Sequence, residues 1–247
     1  MTAALETHGL VKRFGGLVAT NDVSLSVGKG ARHALIGPNG AGKTTLINLL
    51  TGVLAPTSGR IVVGGKDVTG LTAHQRARRG IARTFQINQL FPDMTPLETV
   101  VLAHAAAHGR AGTFWQPASR ERASVERAGE LLSRFGLADV MSRRVSSLPY
   151  GKQRLLEIAV AIAADPQVLL LDEPAAGVPE DERHEILSIV ESLPADVTVV
   201  LIEHDMDLVF SFAGRITVLV GGAVFTEGSV AEIAANPDVR RVYLGEG

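Results

Sequence analysis

The chain has 247 residues, of which 46% are hydrophobic, 20% charged and 4% aromatic, a balance that is typical of a folded globular protein and excludes an intrinsically disordered one. Lys and Arg number 24 and Asp and Glu 26, and the resulting formal net charge of -2 gives no overall basic field to hold a nucleic acid. The chain has no cysteine, which excludes disulfides and thiolate chemistry.

Hydrophobic patterning predicts strands and turns first, then a helical stretch, then two apolar strands joined by a helix, which is the unit of a parallel sheet. Strand signals fade between about 87 and 157, which predicts a helical insert. The predicted strands lie over 10–11, 23–27, 34–36, 60–65, 168–171, 197–202, 216–220 and 223–225. The predicted helices lie over 42–50, 97–107, 120–135, 154–159, 181–193, 230–235 and 238–243.

Neither a secretory signal nor a membrane span is predicted. The first residues lack a basic segment followed by an apolar one. The most apolar runs, 158–164 and 168–171, are far shorter than the roughly 20 residues that cross a bilayer. We therefore expect a cytoplasmic protein whose role at a membrane is peripheral.

The segment Gly37-Pro38-Asn39-Gly40-Ala41-Gly42-Lys43-Thr44 matches the phosphate-loop pattern G-x-x-x-x-G-K-[ST] between a predicted strand and a predicted helix. Its backbone N–H groups can converge on phosphate oxygens, Lys43 supplies a positive charge, and the Thr44 hydroxyl is a ligand for Mg²⁺. Thr45 adds a further phosphate contact. The alternative is a glycine-rich turn with a chance lysine, but the complete pattern predicts a nucleoside triphosphate site.

Five further segments occur in the order found in the ATP-binding subunits of ABC transporters, and the resemblance covers essentially the whole chain. The run Leu-Leu-Leu-Asp-Glu-Pro over 169–174 resembles the Walker B strand of that family. The resemblance implies that Asp172 holds Mg²⁺ through water and that Glu173 polarises the attacking water, which suits metal-assisted phosphoryl transfer. The alternative is a solvated acidic pair at a strand end.

Three single residues also match the family by position. Gln86 resembles the Q-loop glutamine, which senses the γ-phosphate and Mg²⁺, and His204 resembles the switch histidine, which contacts the γ-phosphate. Phe14 occupies the position of an aromatic residue that stacks on adenine. Each has an ordinary alternative, namely a surface amide, a structural histidine and a packed aromatic ring.

The run Leu-Pro-Tyr-Gly-Lys-Gln over 148–153 lies where the family has its L-S-G-G-Q signature. Leu148 and Gly151 match, whereas proline, tyrosine and Lys152 replace the serine, the first glycine and the glutamine. The Gly151 amide and the helix N-terminus can still attract phosphate, so the resemblance implies nucleotide contacts for Leu148, Gly151 and Lys152. The L-P-Y-G form is familiar from the branch that imports branched-chain amino acids and related amides.

Other segments resemble the longer of that importer's two ATPase subunits, which also has an insert like residues 104–123. At the D-loop, Pro179 stands where the family usually has Asp or Asn, which affects communication between ATP sites through that side chain. The resembling segments are 82–86, 90–95, 173–177, 202–206 and 243–245.

The resemblance implies an α/β fold with a P-loop NTPase core and a mainly parallel sheet, an N-terminal antiparallel β-subdomain and an inserted α-helical subdomain. One ABC ATPase domain would cover 1–247, with the ATP-binding core over 1–86 and 158–247 and the helical subdomain over 87–157. ATP and Mg²⁺ are the implied cofactors. The function implied is ATP hydrolysis that powers import of branched-chain amino acids or related small amides.

The resemblance also implies partners. The signature of one subunit completes the phosphate loop of another, so a second ABC ATPase subunit is expected, either identical or a shorter relative. Separate membrane permeases would place the chain at the cytoplasmic face of the membrane, and a periplasmic or extracellular substrate-binding protein would act indirectly. No nucleic-acid partner is expected.

Three alternatives stay open at this point. A lipid or lipopolysaccharide exporter shares the Val-Tyr-Leu-Gly ending over 242–245, although the L-P-Y-G segment argues against it. A non-transport ABC ATPase for DNA repair or translation usually carries long coiled coils or two ATPase copies, and neither is recognisable. A nucleotide kinase would leave His204 and the signature-like segment without a role.

Arginines cluster at Arg76, Arg78, Arg79 and Arg83. We interpret them as a solvated helix face, with contact to a permease or to lipid headgroups as the alternative.

Overall fold

The computed structural model describes residues 3–84, 90–109 and 118–244. Its strands are β1 (Ala3–Phe14), β2 (Leu17–Gly28), β3 (Arg32–Ile36), β4 (Ser58–Val63), β5 (Lys66–Asp67), β6 (Ile81–Arg83), β7 (Val168–Asp172), β8 (Thr198–Ile202), β9 (Arg215–Val220) and β10 (Ala223–Gly228). Its helices are α1 (Lys43–Thr51), α2 (Ala73–Ala77), α3 (Pro96–Ala107), α4 (Ala118–Arg134), α5 (Tyr150–Ile162), α6 (Glu180–Glu191), α7 (Met206–Phe212), α8 (Val230–Ala235) and α9 (Pro237–Leu244).

Contacts divide the chain into two compact units. The first contains Met1–Ile81, Gln167–Glu173 and Pro194–Gly247, and the second contains Ala82–Pro166 and Pro174–Leu193. The helical subdomain predicted over 87–157 stays a prediction. Within the residues described, no helix is long and apolar enough to cross a membrane.

The strands form two sheets whose topology confirms the predicted α/β class. One has the order β2-β1-β4-β5 and is antiparallel. The other has the order β10-β9-β3-β8-β7-β6, in which β3 runs parallel to β8 and β9, and β7 runs parallel to β8. The strands predicted over 216–220 and 223–225 form the antiparallel pair β9 and β10.

The larger sheet brings the ends of three strands together. All five residues of β7 and all five of β8 are buried, as the continuous apolar runs predicted. Leu46, Ile47 and Leu50 of α1 are buried in the same core cluster as Leu35 and Leu170 of the strands. Since parallel strands end at one edge of a sheet, the segments that follow β3, β7 and β8 meet there.

The second unit is mainly helical, with α3, α4 and α5 packed on one another and α6 packed on α5. Val100, Leu132, Phe135 and Leu156 are at most 2% exposed and form part of its core. The helix predicted over 97–107 begins one residue earlier, where a capping box of Thr95 and its third-following glutamate satisfies the first backbone N–H groups.

The interpretation of the arginine cluster as a solvated helix face is wrong for Arg76. Arg78 and Arg79 are exposed, but Arg76 on α2 is only 1% exposed. Its guanidinium donates to the carbonyl oxygens of Leu49 and Leu50 at the C-terminal end of α1. Arg76 is therefore a buried residue that stabilises the C-terminal end of α1. It belongs neither to a solvated face nor to a lipid contact.

A buried polar chain links β3, β9 and β10. His33 is 2% exposed, and its Nε2 lies 2.8 Å from Thr217 Oγ1. The Thr217 hydroxyl donates to Glu227 Oε2 at 2.9 Å, so the hydroxyl oxygen accepts from a protonated Nε2 of His33. Burial lowers the pKa of His33, although the Glu227 carboxylate acts in the opposite direction.

This lowered pKa predicts acid sensitivity. When the pH falls below about 6.5, the unfolded chain takes up the proton at His33 before the folded chain does, so stability falls by at most about 1.4 kcal/mol per pH unit from this residue. His33→Gln keeps a donor for Thr217 and cannot become charged. Its free energy of unfolding in urea should fall less than that of the wild type between about pH 7.5 and about pH 5.5.

The exposed His74 on α2 provides the matched control. His74→Gln should follow the wild-type pH dependence. Equal losses of stability in the wild type and in His33→Gln would contradict the prediction.

Candidate active site

The phosphate loop lies between β3 and α1, in the strand-to-helix position that its pattern predicted. At Gly42, φ is +95° and a Cβ atom would lie 2.5 Å from the Ala19 carbonyl oxygen of β2. At Gly37, a Cβ atom would overlap the carbonyl oxygen of Leu219 in β9. Glycine is needed at both positions because neighbouring backbones approach the loop closely.

The N-terminus of α1 points its backbone N–H groups out of this loop. Among the described residues of the loop and helix, no side chain caps α1 and no acidic residue stands in its first turn. Thr44 is exposed and Thr45 half-buried in that turn, and Asn39 and Gly40 are exposed before it. Uncapped N–H groups with the positive end of a helix dipole form an anion site.

Lys43 lies folded over the loop. Its Nζ donates to the carbonyl oxygens of Gly37 at 2.5 Å and Pro38 at 3.1 Å. Burial lowers the pKa of Lys43, and the carboxylates of Glu173 and Asp172 oppose this shift. The ammonium group thus bonds to the loop and interacts electrostatically with both carboxylates, and a phosphate would offer it a stronger partner than neutral carbonyls do.

The two carboxylates follow directly from the end of β7. Asp172 is its last residue and is 3% exposed. Glu173 has a left-handed backbone with φ +46°, and its N–H donates to the Ile202 carbonyl at 2.9 Å. This conformation is uncommon for a non-glycine residue, and here the turn takes Glu173 out of the line of the strand.

His204 lies beside Glu173, two residues beyond β8. Its Nδ1 is 3.7 Å from Glu173 Oε1 and 3.7 Å from Glu203 Oε2. Its backbone N–H donates to Glu203 Oε2 at 3.1 Å, and its side chain is 67% exposed. The predicted phosphate, metal and water residues of the first unit therefore lie at one edge of the sheet.

Phe14 lies at the end of β1, where the hairpin turns into β2 at Leu17. The ring is 47% exposed, and Lys12 Nζ lies 5.1 Å from its centroid. This exposure makes a face of the ring accessible, while its stacking on adenine stays a prediction. Gln86 lies outside the described residues, so its predicted Q-loop and metal roles stay predictions as well.

The signature-like segment lies in the second unit, where α5 begins at Tyr150. Leu148 is buried, and a Cβ atom at Gly151 would overlap the carboxylate of Glu182 on α6. Lys152 Nζ donates to the Gly136 carbonyl at 2.8 Å and lies 3.5 Å from a carboxylate oxygen of Glu185. Lys152 thus has partners inside its own unit, and its predicted contact with nucleotide stays a prediction.

Sequence reasoning missed how α5 contacts the D-loop, the segment 174–179 that ends at Pro179. The Tyr150 hydroxyl donates to the Ala176 carbonyl at 3.3 Å, and its ring packs against Gly177, where φ is +73°. Arg154 is 1% exposed and donates to the Pro174 carbonyl at 3.3 Å. The tyrosine at the consensus glycine position therefore links the signature segment to the D-loop, a contact that no local sequence pattern reports.

A phosphate loop with strand-end carboxylates and a neighbouring histidine defines the chain as a P-loop ATPase. The family model for ABC transporters matches residues 20–176, and that for branched-chain amino acid ATP-binding cassette transporters matches residues 223–247. The chain therefore belongs to the ATP-binding subunits of ABC transporters. The predicted family and its ATPase activity are confirmed.

Similar proteins extend this match over almost the whole chain. The chain is 44% identical to the high-affinity branched-chain amino acid transport ATP-binding protein BraF of Pseudomonas aeruginosa and 43% identical to LivG of Salmonella typhimurium, with 98% of both chains covered in each comparison. It resembles the solved ADP conformation of an ATP-binding cassette of an ABC transporter with a TM-score of 0.86 and 33% identity, covering 99% of this chain and 100% of that one.

Proposed function

We propose that the chain is the ATP-hydrolysing subunit of an importer for branched-chain amino acids or related small amides. The observation that carries the substrate is the match of residues 223–247 to a family specific to these transporters. Relatives with 43% and 44% identity over 98% of the chain, whose names state this transport, support it.

The residues at the sheet edge fit ATP and Mg²⁺. The uncapped N-terminus of α1 and Lys43 provide N–H donors and positive charge for phosphate oxygens. The Thr44 hydroxyl and the Asp172 carboxylate are oxygen ligands of the kind that Mg²⁺ prefers. Held by Thr44 and, through water, by Asp172, Mg²⁺ would neutralise charge that develops on the phosphates during transfer.

The placement of Glu173 and His204 supports their proposed roles in hydrolysis. Glu173 orients a water molecule and accepts its proton while the water oxygen bonds to the γ-phosphorus and the bond to the β-phosphate oxygen breaks. ADP and inorganic phosphate are the products. His204, 3.7 Å from a Glu173 oxygen, contacts the γ-phosphate and keeps the base beside the water.

Coupling to transport requires partners. Membership of the family implies membrane permeases and a second ATPase subunit, whose signature segment completes the phosphate loop of this chain. ATP closes this head-to-tail dimer and hydrolysis reopens it. Phe91 and Leu102 of the second unit are 55% and 41% exposed. Exposed apolar side chains are typical of protein interfaces, so these residues support a contact with permease helices at the cytoplasmic face of the membrane. This contact would transmit the motion of the ATPase to the permease.

Reconstitution tests this proposal. The chain should co-purify from membranes with permeases, and proteoliposomes that contain this complex and its substrate-binding protein should take up labelled leucine only when ATP is supplied. A complex with Glu173→Gln is the matched control and should assemble without uptake. ATP-dependent lipid release with no leucine uptake would favour the exporter alternative, and the absence of any membrane partner would favour a non-transport ATPase.

A further inference from the structure

Three metal-ligating side chains of the second unit lie together at the C-terminal end of α3, and none of them has a role in ATP hydrolysis. His104 and His108 are one helical turn apart, and Asp165 follows the end of α5. One ligand atom from each of the three lies within 4.8 Å of the other two. The cluster therefore has the residue types and the closeness of a cation site.

Hydrogen bonds fix which ring nitrogens can bind a cation. His104 Nδ1 lies 3.1 Å from the Ala163 carbonyl oxygen, and His108 Nδ1 lies 2.8 Å from the His104 carbonyl oxygen. Carbonyl oxygens only accept, so each Nδ1 carries a hydrogen and each neutral ring keeps its lone pair at Nε2. In metal-bound histidines, the ring nitrogen that does not bind the metal donates a hydrogen bond of this kind to an oxygen, and this bond orients the ring.

The carboxylate lies in front of one of these lone pairs. Asp165 Oδ2 is 3.3 Å from His108 Nε2, and a lone pair facing a carboxylate oxygen at this distance repels it unless a proton or a metal cation lies between them. The His104 ring is close, with its centroid 4.3 Å from that of His108. Arg127 Nη2 donates to Asp165 Oδ1 at 2.7 Å and so orients the carboxylate from its other side.

We propose that His104, His108 and Asp165 bind a divalent transition-metal cation of the zinc class. Two imidazole nitrogens with one carboxylate oxygen suit Zn²⁺ and Co²⁺, whereas Mg²⁺ and Ca²⁺ prefer oxygen ligands alone. Side-chain exposures of 31% for His108 and 47% for Asp165 give the cation a path from solvent and allow water to complete its coordination. The bound cation ties the end of α3 to the segment after α5, which stabilises the second unit.

Metal titration of the full chain without an affinity tag tests the site. After removal of metals, Co²⁺ should give a visible absorption band that Zn²⁺ displaces, with one cation bound per chain in the presence of excess Mg²⁺ and ATP. Asp165→Asn should weaken Zn²⁺ binding at least about tenfold, since even outer-shell changes cost this much. Asparagine tolerates the left-handed backbone of Asp165, where φ is +50°, so the fold is kept.

His108→Ala should weaken Zn²⁺ binding to a similar extent, whereas His184→Ala, which removes an exposed histidine of α6, should not. Zn²⁺ should also raise the thermal midpoint of the wild type and of His184→Ala, but not that of Asp165→Asn. Equal Zn²⁺ affinity in the wild type, Asp165→Asn, His108→Ala and His184→Ala would overturn the proposal. Binding that is lost only in Asp172→Asn would also overturn it, because the cation would then lie at the ATP site.

Arg127→Ala separates the metal site from a plain ion pair. If a metal binds, removal of the arginine leaves the Asp165 carboxylate available and Zn²⁺ affinity is kept or increased. If His108, Asp165 and Arg127 form only a chain of ion pairs, the wild type shows neither the Co²⁺ band nor the Zn²⁺-dependent rise in thermal midpoint, and the proposal fails.

Discussion

Glu173→Gln is expected to bind ATP as tightly as the wild type and to hydrolyse it about a hundredfold to ten-thousandfold more slowly. Glutamine has the shape of glutamate but cannot accept the proton of the attacking water. The change also removes a negative charge near Lys43 and the phosphates, so affinity for ATP should not fall. Binding is measured with a fluorescent ATP analogue, and turnover by release of inorganic phosphate.

A second glutamate of the chain serves as the control for this variant. Glu191→Gln makes the same chemical change at an exposed position at the end of α6 and should keep wild-type turnover. The Glu173→Gln protein should also accumulate as an ATP-bound dimer in gel filtration, because in the proposed cycle hydrolysis reopens the dimer. Normal phosphate release by Glu173→Gln would remove this residue from its role as base.

The parts of the active site that local patterns encode could be predicted from the sequence. The phosphate loop is a continuous pattern, and Asp172 and Glu173 end a run of apolar residues that had to be a buried strand. His204 could be predicted only as a member of an ordered set of motifs, because a single histidine after a strand carries little information. Its position 3.7 Å from Glu173 depends on β7 and β8 being neighbours, which is a tertiary feature.

Long-range contacts of polar side chains could not be predicted. The place of Lys152 in the signature predicts a contact with nucleotide, which stays a prediction, but no local pattern indicates its hydrogen bond to the Gly136 carbonyl. Tyr150 looked like a departure from the consensus, yet its ring packs on the D-loop at Gly177. The helices α2 and α7 were missed because they have five and seven residues, which is too short for a clear helical period.

Arg76 shows most clearly how burial changes the role of a charged side chain. Its guanidinium donates to the carbonyl oxygens of Leu49 and Leu50 of α1, and to those of Thr69 at 2.8 Å and Leu71 at 3.1 Å. The last four carbonyls of a helix lack partners within the helix. Arg76 supplies donors to this end of α1 and a positive charge where the helix dipole is negative.

Arg76→Met is expected to lower the free energy of unfolding by about 3 kcal/mol, because methionine fills most of the space but leaves buried carbonyls without these donors. The thermal midpoint should fall by roughly 6–12 °C. Arg76→Lys should show a smaller loss, since it keeps the charge and fewer hydrogen bonds. Urea unfolding followed by circular dichroism measures all three proteins.

Arg79→Met is the matched control, because Arg79 belongs to the same sequence cluster but is exposed. It should change the free energy of unfolding by less than about 0.5 kcal/mol. Equal stability of the two methionine variants would mean that the carbonyls at the end of α1 find other donors. A large difference would show that the charge of Arg76 stabilises the C-terminal end of α1. The sequence alone predicts that this charge lies in solvent.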